Sequence, residues 1–330
     1  MSGAISTGPV DPGTAKVGFI GLGNVGGKLA GSLLRNGVDL TVRDLDHDAV
    51  QPFLDGGATT APSPAAMTEA VDVVITCLPS PAASAFVLEA DDGVLSAMRP
   101  GQVWLEMSTT DEAEIRRLGE RVAAVGGAAV DCPVSGGCHR AATGNISIFA
   151  GSERDTFERV LPLLTLMGRQ VLHTGPIGTA STLKVMTNYL ATANLLSLTE
   201  ALTTMAAAGM DLATTYEAIR ISSGNSFVHE TESQLILNGS RDIGFTMDLV
   251  LKDIGLFQTI AERHDVPLEL NPLMIDIFRD GKQRYGGGEW SDEIVRRLEE
   301  ATGLSITAPG FPAELVDDEP EACGWEVRRA

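Results

Sequence analysis

The stretch KVGFIGLGNVGGKLAGSLLRNG, residues 16–37, constrains the chain more than any other. A β-type run ends in glycines at 21, 23 and 26, and a helical stretch, Gly26–Asn36, follows directly. Strand, glycine turn and helix in this order form the context in which G-x-G-x-x-G marks a dinucleotide-binding βαβ unit. Gly21 permits the tight turn. Gly23 has no Cβ, so a pyrophosphate can approach the backbone. Gly26 lets the helix pack closely on the strand. Leu22, Asn24 and Val25 complete the loop, and the free N–H groups at the helix start favour an anion. The alternative is a glycine-rich turn that holds no ligand.

The next β-type run, DLTVRD, ends at Asp44, 23 positions after Gly21. A carboxylate there accepts hydrogen bonds from both ribose hydroxyls of an adenosine and repels a 2′-phosphate. NAD is therefore expected in preference to NADP, and Asp46 and Asp48 add to the negative field. Arg43 argues the other way if it turns toward a phosphate. Asp44 as a mere solvated strand-end charge is the competing reading. The run VDVVITCL continues into CLPSP, which places Leu78 and Pro79 at a strand's carboxyl end, where such sheets bind their ligands.

The same alternation runs onward. β-type runs at 16–21, 39–44, 71–78, 102–108, 128–134, 145–151 and 170–175 are separated by helical stretches such as Asp111–Val125 and Ser152–Met167. This predicts an α/β fold, a Rossmann-type doubly wound parallel sheet. Residues 1–15 read as a flexible lead-in and 16–180 as the dinucleotide-binding domain. From 181 to 208 one helical pattern continues without a break, about 40 Å at 1.5 Å per residue. It is apolar on nearly every side, so burial is expected. Residues 209–305 show only helical patterning, which predicts an all-α C-terminal domain; the resemblance drawn below implies that it serves substrate binding and dimerisation. The stretch 306–330 holds Pro309, Pro312, Pro320 and the cluster DDEPE, and reads as an extended tail.

Charge excludes some classes of partner. With 44 acidic against 24 basic residues, the net charge is −20. No basic face is available to displace counterions from nucleic acid, and an anionic membrane surface is equally disfavoured. No run approaches the ~18 apolar residues of a membrane span, and the N-terminus has no secretory pattern. Cys77, Cys132, Cys138 and Cys323 match no common zinc spacing, so no metal is expected. Reduced thiols and a cytoplasmic location are the expectation.

Three further places carry chemistry. Lys184 and Asn188 stand four apart on the long helix, hence on one face. An amine among Leu183, Val185 and Met186 is costly unless used or paired, and desolvation favours its neutral, proton-accepting form. The alternative is a lysine whose amine snorkels to the surface. DCPVSGG, 131–137, is a strand followed by a small polar turn, in which Ser135 and the N–H groups of Gly136 and Gly137 form a nest for a carboxylate; the alternative is an ordinary Gly-Gly turn. LVLKDIGL, 249–256, carries Lys252 and Asp253 in an apolar helix, read either as functional or as a surface ion pair.

Together these segments resemble the β-hydroxyacid dehydrogenase family, the 3-hydroxyisobutyrate dehydrogenase-like enzymes, over about residues 16–300. GFIGLGNVG is similar to the family's cofactor loop, EMSTTD (106–111) to its second cofactor segment and DCPVSGG to its substrate segment. GPIGTASTLKVMTN (175–188) is similar to its catalytic helix, and LKDIGL to its late lysine motif. The resemblance implies a Rossmann-type domain, a long interdomain helix and a helical domain that forms a homodimer or homotetramer. It implies Lys184 as general acid/base and Asn188 as the holder of substrate and lysine. Ser135, Gly136 and Gly137 would bind the substrate carboxylate, and Thr109 and Lys252 would contact the nicotinamide end of NAD. The implied activity is hydride transfer between a small 3-hydroxy carboxylate and NAD. Competing readings are a tartronate or succinic semialdehyde-type reductase, 6-phosphogluconate-type or imine-reducing chemistry, and a catalytically silent dinucleotide-binding module. Two places depart from the family pattern. Val25 replaces a common methionine, and Cys138-His139-Arg140 replaces a small-residue stretch after SGG. His139 and Arg140 beside the carboxylate turn would favour a substrate with extra anionic character, or else form surface salt links. His229 is read either as a substrate contact or as a helix-surface histidine.

Overall fold

The computed structural model describes residues 8–328. The chain divides into two compact units. The first comprises the residues through Lys184 together with those from Asp317 onward, and the second runs from Val185 to Val316.

The first unit is built on a ten-stranded sheet: β1 (Lys16–Ile20), β2 (Asp39–Arg43), β3 (Thr59–Thr60), β4 (Val73–Thr76), β5 (Val103–Glu106), β6 (Ala128–Asp131), β7 (Val134–Ser135), β8 (Ser147–Gly151), β9 (Gln170–Gly175) and β10 (Trp325–Glu326). Their order is β10-β9-β8-β6-β5-β4-β1-β2-β3, with β7 paired to β8. The chain winds outward from β1 in both directions, so β1 and β4 flank the switch point where a doubly wound sheet opens its ligand crevice. The pairings are parallel except β6 with β8 and β7 with β8. The single run expected over 128–134 is two strands, because Pro133 has no N–H to give the ladder and β7 turns to pair β8 antiparallel.

Alternation sends side chains to opposite faces. Val17 and Phe19 of β1, with Val73, Ile75, Val103 and Leu105, enter one core layer. Ile20, Val74 and Trp104 enter the other, against Met67 and Leu118. The Gly26–Arg35 helix packs Leu29, Ala30 and Leu33 on the first layer. Of the lead-in expected over 1–15, residues 1–7 lie outside the described part. Val10 and Ala15 are buried in the core, and the Val10 N–H donates to the Arg159 carbonyl.

The long helix is Thr179–Ala207. Its burial follows a stripe, Leu195, Leu198 and Leu202, while Leu190 is half exposed; burial on every side is therefore not found. The second unit contains helices Leu212–Arg220, Phe227–Asn238, Met247–Arg263, Leu270–Tyr285 and Arg296–Thr302. Met247, Val250, Ile254, Met274 and Phe278 form its core with the leucine stripe. Asp211, Ser226 and Thr246 cap three of these helices with side-chain oxygens, satisfying N–H groups that the helices leave unpaired. No helix among the described residues is long and apolar enough to cross a membrane.

Candidate active site

The glycine turn is held by contacts that only glycine permits. Gly21 has φ +99°, and a Cβ on it would strike the Cys77 carbonyl. A Cβ on Gly26 would strike the carbonyl of Gly21, which explains the close approach of helix to strand. Gly23 differs: nothing lies within 4 Å of where its Cβ would be. Its lack of a side chain serves no internal packing, and the open space fits the approach of a phosphate.

Asp44 follows the end of β2 and turns back on this loop. Its Oδ2 accepts the Leu22 N–H at 2.5 Å and its Oδ1 accepts the Asp46 N–H at 2.9 Å. The carboxylate therefore braces the turn as well as projecting charge beside it. Arg43 donates to the Ala61 carbonyl at 3.4 Å.

The register aligns Ile20 with Thr76 and Thr76 with Glu106, so the carboxyl ends of β1, β4 and β5 lie side by side. Leu78, Pro79 and Thr109 leave the sheet at those ends. Their backbone is organised by Glu106. This fully buried carboxylate accepts the Ser108 N–H at 2.9 Å and the Ser108 hydroxyl, and Ser108 Oγ accepts the Leu78 N–H at 2.6 Å. Burial pushes the Glu106 carboxyl above the ordinary carboxylate range, against the opposing hydrogen bonds. Sequence reasoning did not single out Glu106; the signal was an acid at the end of an apolar strand.

The DCPVSGG segment, 131–137, lies in the same unit. β7 delivers Ser135, then Gly136 and Gly137 take φ +127° and +88° and open the Gly137–Ala142 helix. Lys184 is only 8% exposed, which removes the snorkelling alternative, and its Nζ donates to Ser135 Oγ at 3.4 Å. The helix that carries Lys184 is pinned at its start by Asp131. One oxygen of this buried carboxylate accepts the Gly178 N–H at 3.0 Å, and the other accepts the Ser181 N–H at 2.8 Å. Burial raises the Asp131 carboxyl, and the two N–H bonds oppose that. Its role was also missed, although DCPVSGG begins with it.

In the second unit, Asn188 Nδ2 donates to Asp253 Oδ2, and Lys252 Nζ pairs with Asp253 Oδ1 at 2.8 Å. Asp253 is 1% exposed, so the surface ion pair expected as one reading of Lys252–Asp253 is not what forms. Asp253 instead sets the orientation of both neighbours. His229 is a core histidine at 1% exposed, so the helix-surface reading is corrected. It donates from Nε2 to the Tyr216 carbonyl at 2.9 Å and accepts the Ser233 hydroxyl at Nδ1 over 2.7 Å. Both ring nitrogens being engaged within the core also removes it from substrate contact. His139 and Arg140 are half-buried on the Gly137–Ala142 helix, and the Arg140 stem passes over Gly136. Among the described residues no group of His, Cys, Asp or Glu is arranged to hold a metal ion.

A glycine turn open at Gly23 beside the switch point, with a buried amine and a hydroxyl in the same unit, fits a nicotinamide-dependent oxidoreductase. Residues 16–175 match the family model for the NAD binding domain of 6-phosphogluconate dehydrogenase. Residues 178–298 match the model for the NAD-binding domain of NADP-dependent 3-hydroxyisobutyrate dehydrogenase. The 2-(hydroxymethyl)glutarate dehydrogenase of Eubacterium barkeri is 32% identical over 88% of this chain and 97% of its own. The NAD-dependent L-serine dehydrogenase of Pseudomonas aeruginosa is 32% identical over 87% of this chain and 98% of its own. Among solved structures, a 3-hydroxyisobutyrate dehydrogenase from Salmonella typhimurium superposes with a TM-score of 0.79 at 28% identity, covering 86% of this chain and 99% of that one. The chain belongs to the β-hydroxyacid dehydrogenase family, NAD(P)-dependent enzymes acting on CH–OH groups.

Proposed function

We propose that the enzyme oxidises a small 3-hydroxy carboxylate to its semialdehyde with NAD, or runs the reverse reduction, using Lys184 as general acid/base. The burial of Lys184, with its amine on the Ser135 hydroxyl, carries this reading. When bound, the dinucleotide takes the carbon-bound hydrogen as hydride. The chain supplies the route for the other hydrogen: Lys184 Nζ accepts the hydroxyl proton in oxidation and returns it in reduction. Asn188, one helical turn on, holds the substrate hydroxyl and is itself held by Asp253. Ser135 with the N–H groups of Gly136 and Gly137 receives the carboxylate. Gly21, Leu22, Gly23, Asn24, Val25 and Gly26 hold the pyrophosphate, Leu78, Pro79, Thr109 and Lys252 serve the nicotinamide end, and Asp44 accepts the ribose hydroxyls. Arg43, engaged with Ala61, supports NAD over NADP.

The substrate we favour carries a second anionic group. Arg140 crosses Gly136, the first glycine of the carboxylate turn, and a relative of this chain is a 2-(hydroxymethyl)glutarate dehydrogenase, named for a dicarboxylate. The test is NADH formation with 3-hydroxyisobutyrate, L-serine, glycerate, 3-hydroxypropionate and 2-(hydroxymethyl)glutarate, with NAD and NADP in parallel. Silence on the whole panel points to a non-catalytic dinucleotide-binding module. We also propose a homodimer or homotetramer, checked by light scattering, and a cytoplasmic location, which suits four cysteines that form no disulfide among the described residues.

A further inference from the structure

The family-model matches end at residue 298. The chain continues, and from Asp317 it lies against the first unit. There β10 adds to the sheet beside β9, with Trp325 opposite Gln170. Glu326 pairs with Arg154, and Glu321 receives Arg35 Nε at 3.2 Å and Asn36 Nδ2 at 3.2 Å. The most buried of these contacts are at Asp317. Its Oδ2 accepts the Thr143 hydroxyl and Asn145 Nδ2, the latter at 2.8 Å, and Asn145 also donates to the Glu319 carbonyl at 2.8 Å. Asn145 is 4% exposed.

These partners sit at one particular place. Thr143 is the residue that ends the Gly137–Ala142 helix. The carbonyl of Ala142 is taken at 2.8 Å by Arg35, the same guanidinium that Glu321 holds. So the helix that starts at the proposed carboxylate turn is gripped at its other end by the C-terminal segment. Arg140 lies between the two ends, its Cδ 3.5 Å from where a Gly136 Cβ would stand. Burial raises the Asp317 carboxyl, but the bonds from Thr143 and Asn145, the Glu319 N–H and the Arg140 charge outweigh it and hold the group below the ordinary range. Asp317 is therefore ionised at neutral pH, and its two side-chain bonds are charge-assisted.

We propose that Asp317–Glu326 is a strap that fixes the Gly137–Ala142 helix from its C-terminal end, making Asp317 a positioning residue for Arg140, the side chain that receives a second anionic group on the substrate. This rests on reading Ser135, Gly136 and Gly137 as the turn for the first carboxylate. A helix of a turn and a half has little rigidity of its own. Without the strap, Arg140 samples several positions and loses its preference for the dianion, whereas the turn itself, held by β7, keeps its grip on the first carboxylate.

The experiment compares KM for 2-(hydroxymethyl)glutarate and 3-hydroxyisobutyrate in the wild type, Asp317→Ala, Asp317→Asn, Arg140→Ala and the Asp317→Ala/Arg140→Ala double variant. In Asp317→Ala, KM for the dianion rises about fivefold or more, a modest charge-assisted bond's worth, while KM for the monoanion moves less than about twofold. Asp317→Asn, which keeps an acceptor oxygen for Asn145, restores most of the loss. In the Arg140→Ala background, Asp317→Ala adds nothing further, since both act through one side chain. Equal effects on both substrates, or additive effects in the double variant, overturn the strap while leaving the carboxylate reading intact. No change in the dianion-to-monoanion ratio for Arg140→Ala itself overturns the second-anion reading, and the strap with it. Melting curves of each variant separate these outcomes from loss of folding.

Discussion

Lys184 and Ser135 are joined by a bond from Nζ to Oγ at 3.4 Å, 49 residues apart in sequence, with the lysine all but removed from water. Under the proposed function this amine carries the hydroxyl proton. Lys184→Ala is expected to lower kcat by about 10²–10⁴-fold, the usual worth of a positioned acid/base. NADH binding, followed by its fluorescence, should be unchanged. A loss under tenfold would remove the assignment.

Gly23 and Gly21 should separate ligand binding from folding. Gly23→Ala meets no atom of the chain, so stability should stay within about 0.5 kcal/mol of wild type. Dinucleotide affinity should nonetheless fall at least about tenfold, because the methyl occupies the approach of the pyrophosphate. Gly21→Ala, at φ +99° and against the Cys77 carbonyl, should cost more than about 1 kcal/mol of folding stability. Urea melts and isothermal titration of NAD on both variants provide the comparison, and a stable Gly23→Ala enzyme with undiminished affinity contradicts the cradle.

Asp44 combines a structural bond to Leu22 with a charge beside the proposed ribose site. Asp44→Asn keeps an acceptor for one N–H and deletes the charge. The NAD-to-NADP ratio of kcat/KM should therefore drop by about tenfold or more as the repulsion of a 2′-phosphate is lifted. An unchanged ratio means that discrimination lies elsewhere.

Asn188 and Asp253 act as one device, the amide oriented by a carboxylate that also holds Lys252. Asp253→Asn should reduce kcat/KM by about tenfold, since a bond to a charged acceptor is worth ~1.5–3 kcal/mol. Combined with Asn188→Ala, the loss should be no greater than that of Asn188→Ala alone. Full additivity in steady-state kinetics argues that Asp253 serves stability only.

Acid should weaken the fold through His229. Burial holds this imidazole below its ordinary value, against the bond to the Tyr216 carbonyl. Above a pH of about 6.5 both folded and unfolded chains carry it neutral. As pH falls below that, the unfolded chain takes up a proton that the folded one resists, so stability declines. His139 is displaced in the same direction, by burial first and then by Arg140. His229→Gln should thus reduce, without abolishing, the fall in melting temperature between pH 7 and 5. An unchanged slope excludes the buried ring as its source.

The parts legible in the sequence were those set by local chemistry. The glycine turn, the apolar strands that flank it and the unbroken helix around Lys184 each declare themselves within a short window. What escaped depends on distant partners. Asp131 caps a helix 50 residues further on, and Asp253 meets Asn188 across 65. A two-residue strand such as β3 has no periodicity to detect. The C-terminal stretch has the prolines and acids of a solvated tail, yet Asp317, Glu321 and Glu326 each meet a complementary group, and no pattern within 306–330 announces those partners. His229 shows the same limit, since its neighbours in sequence do not reveal that a tyrosine carbonyl awaits it.

The boundary between the two compact units falls directly after Lys184, inside an uninterrupted helix, with Asn188 one turn beyond it. Inserting or deleting a single residue in that turn would swing the amide by about 100° around the axis. The apolar stripe downstream could still find leucine-sized holes, but amine and amide would look to different quarters. Under the proposed function, angular phase is the requirement: four consecutive peptide units of one helix are the ruler between Lys184 and Asn188.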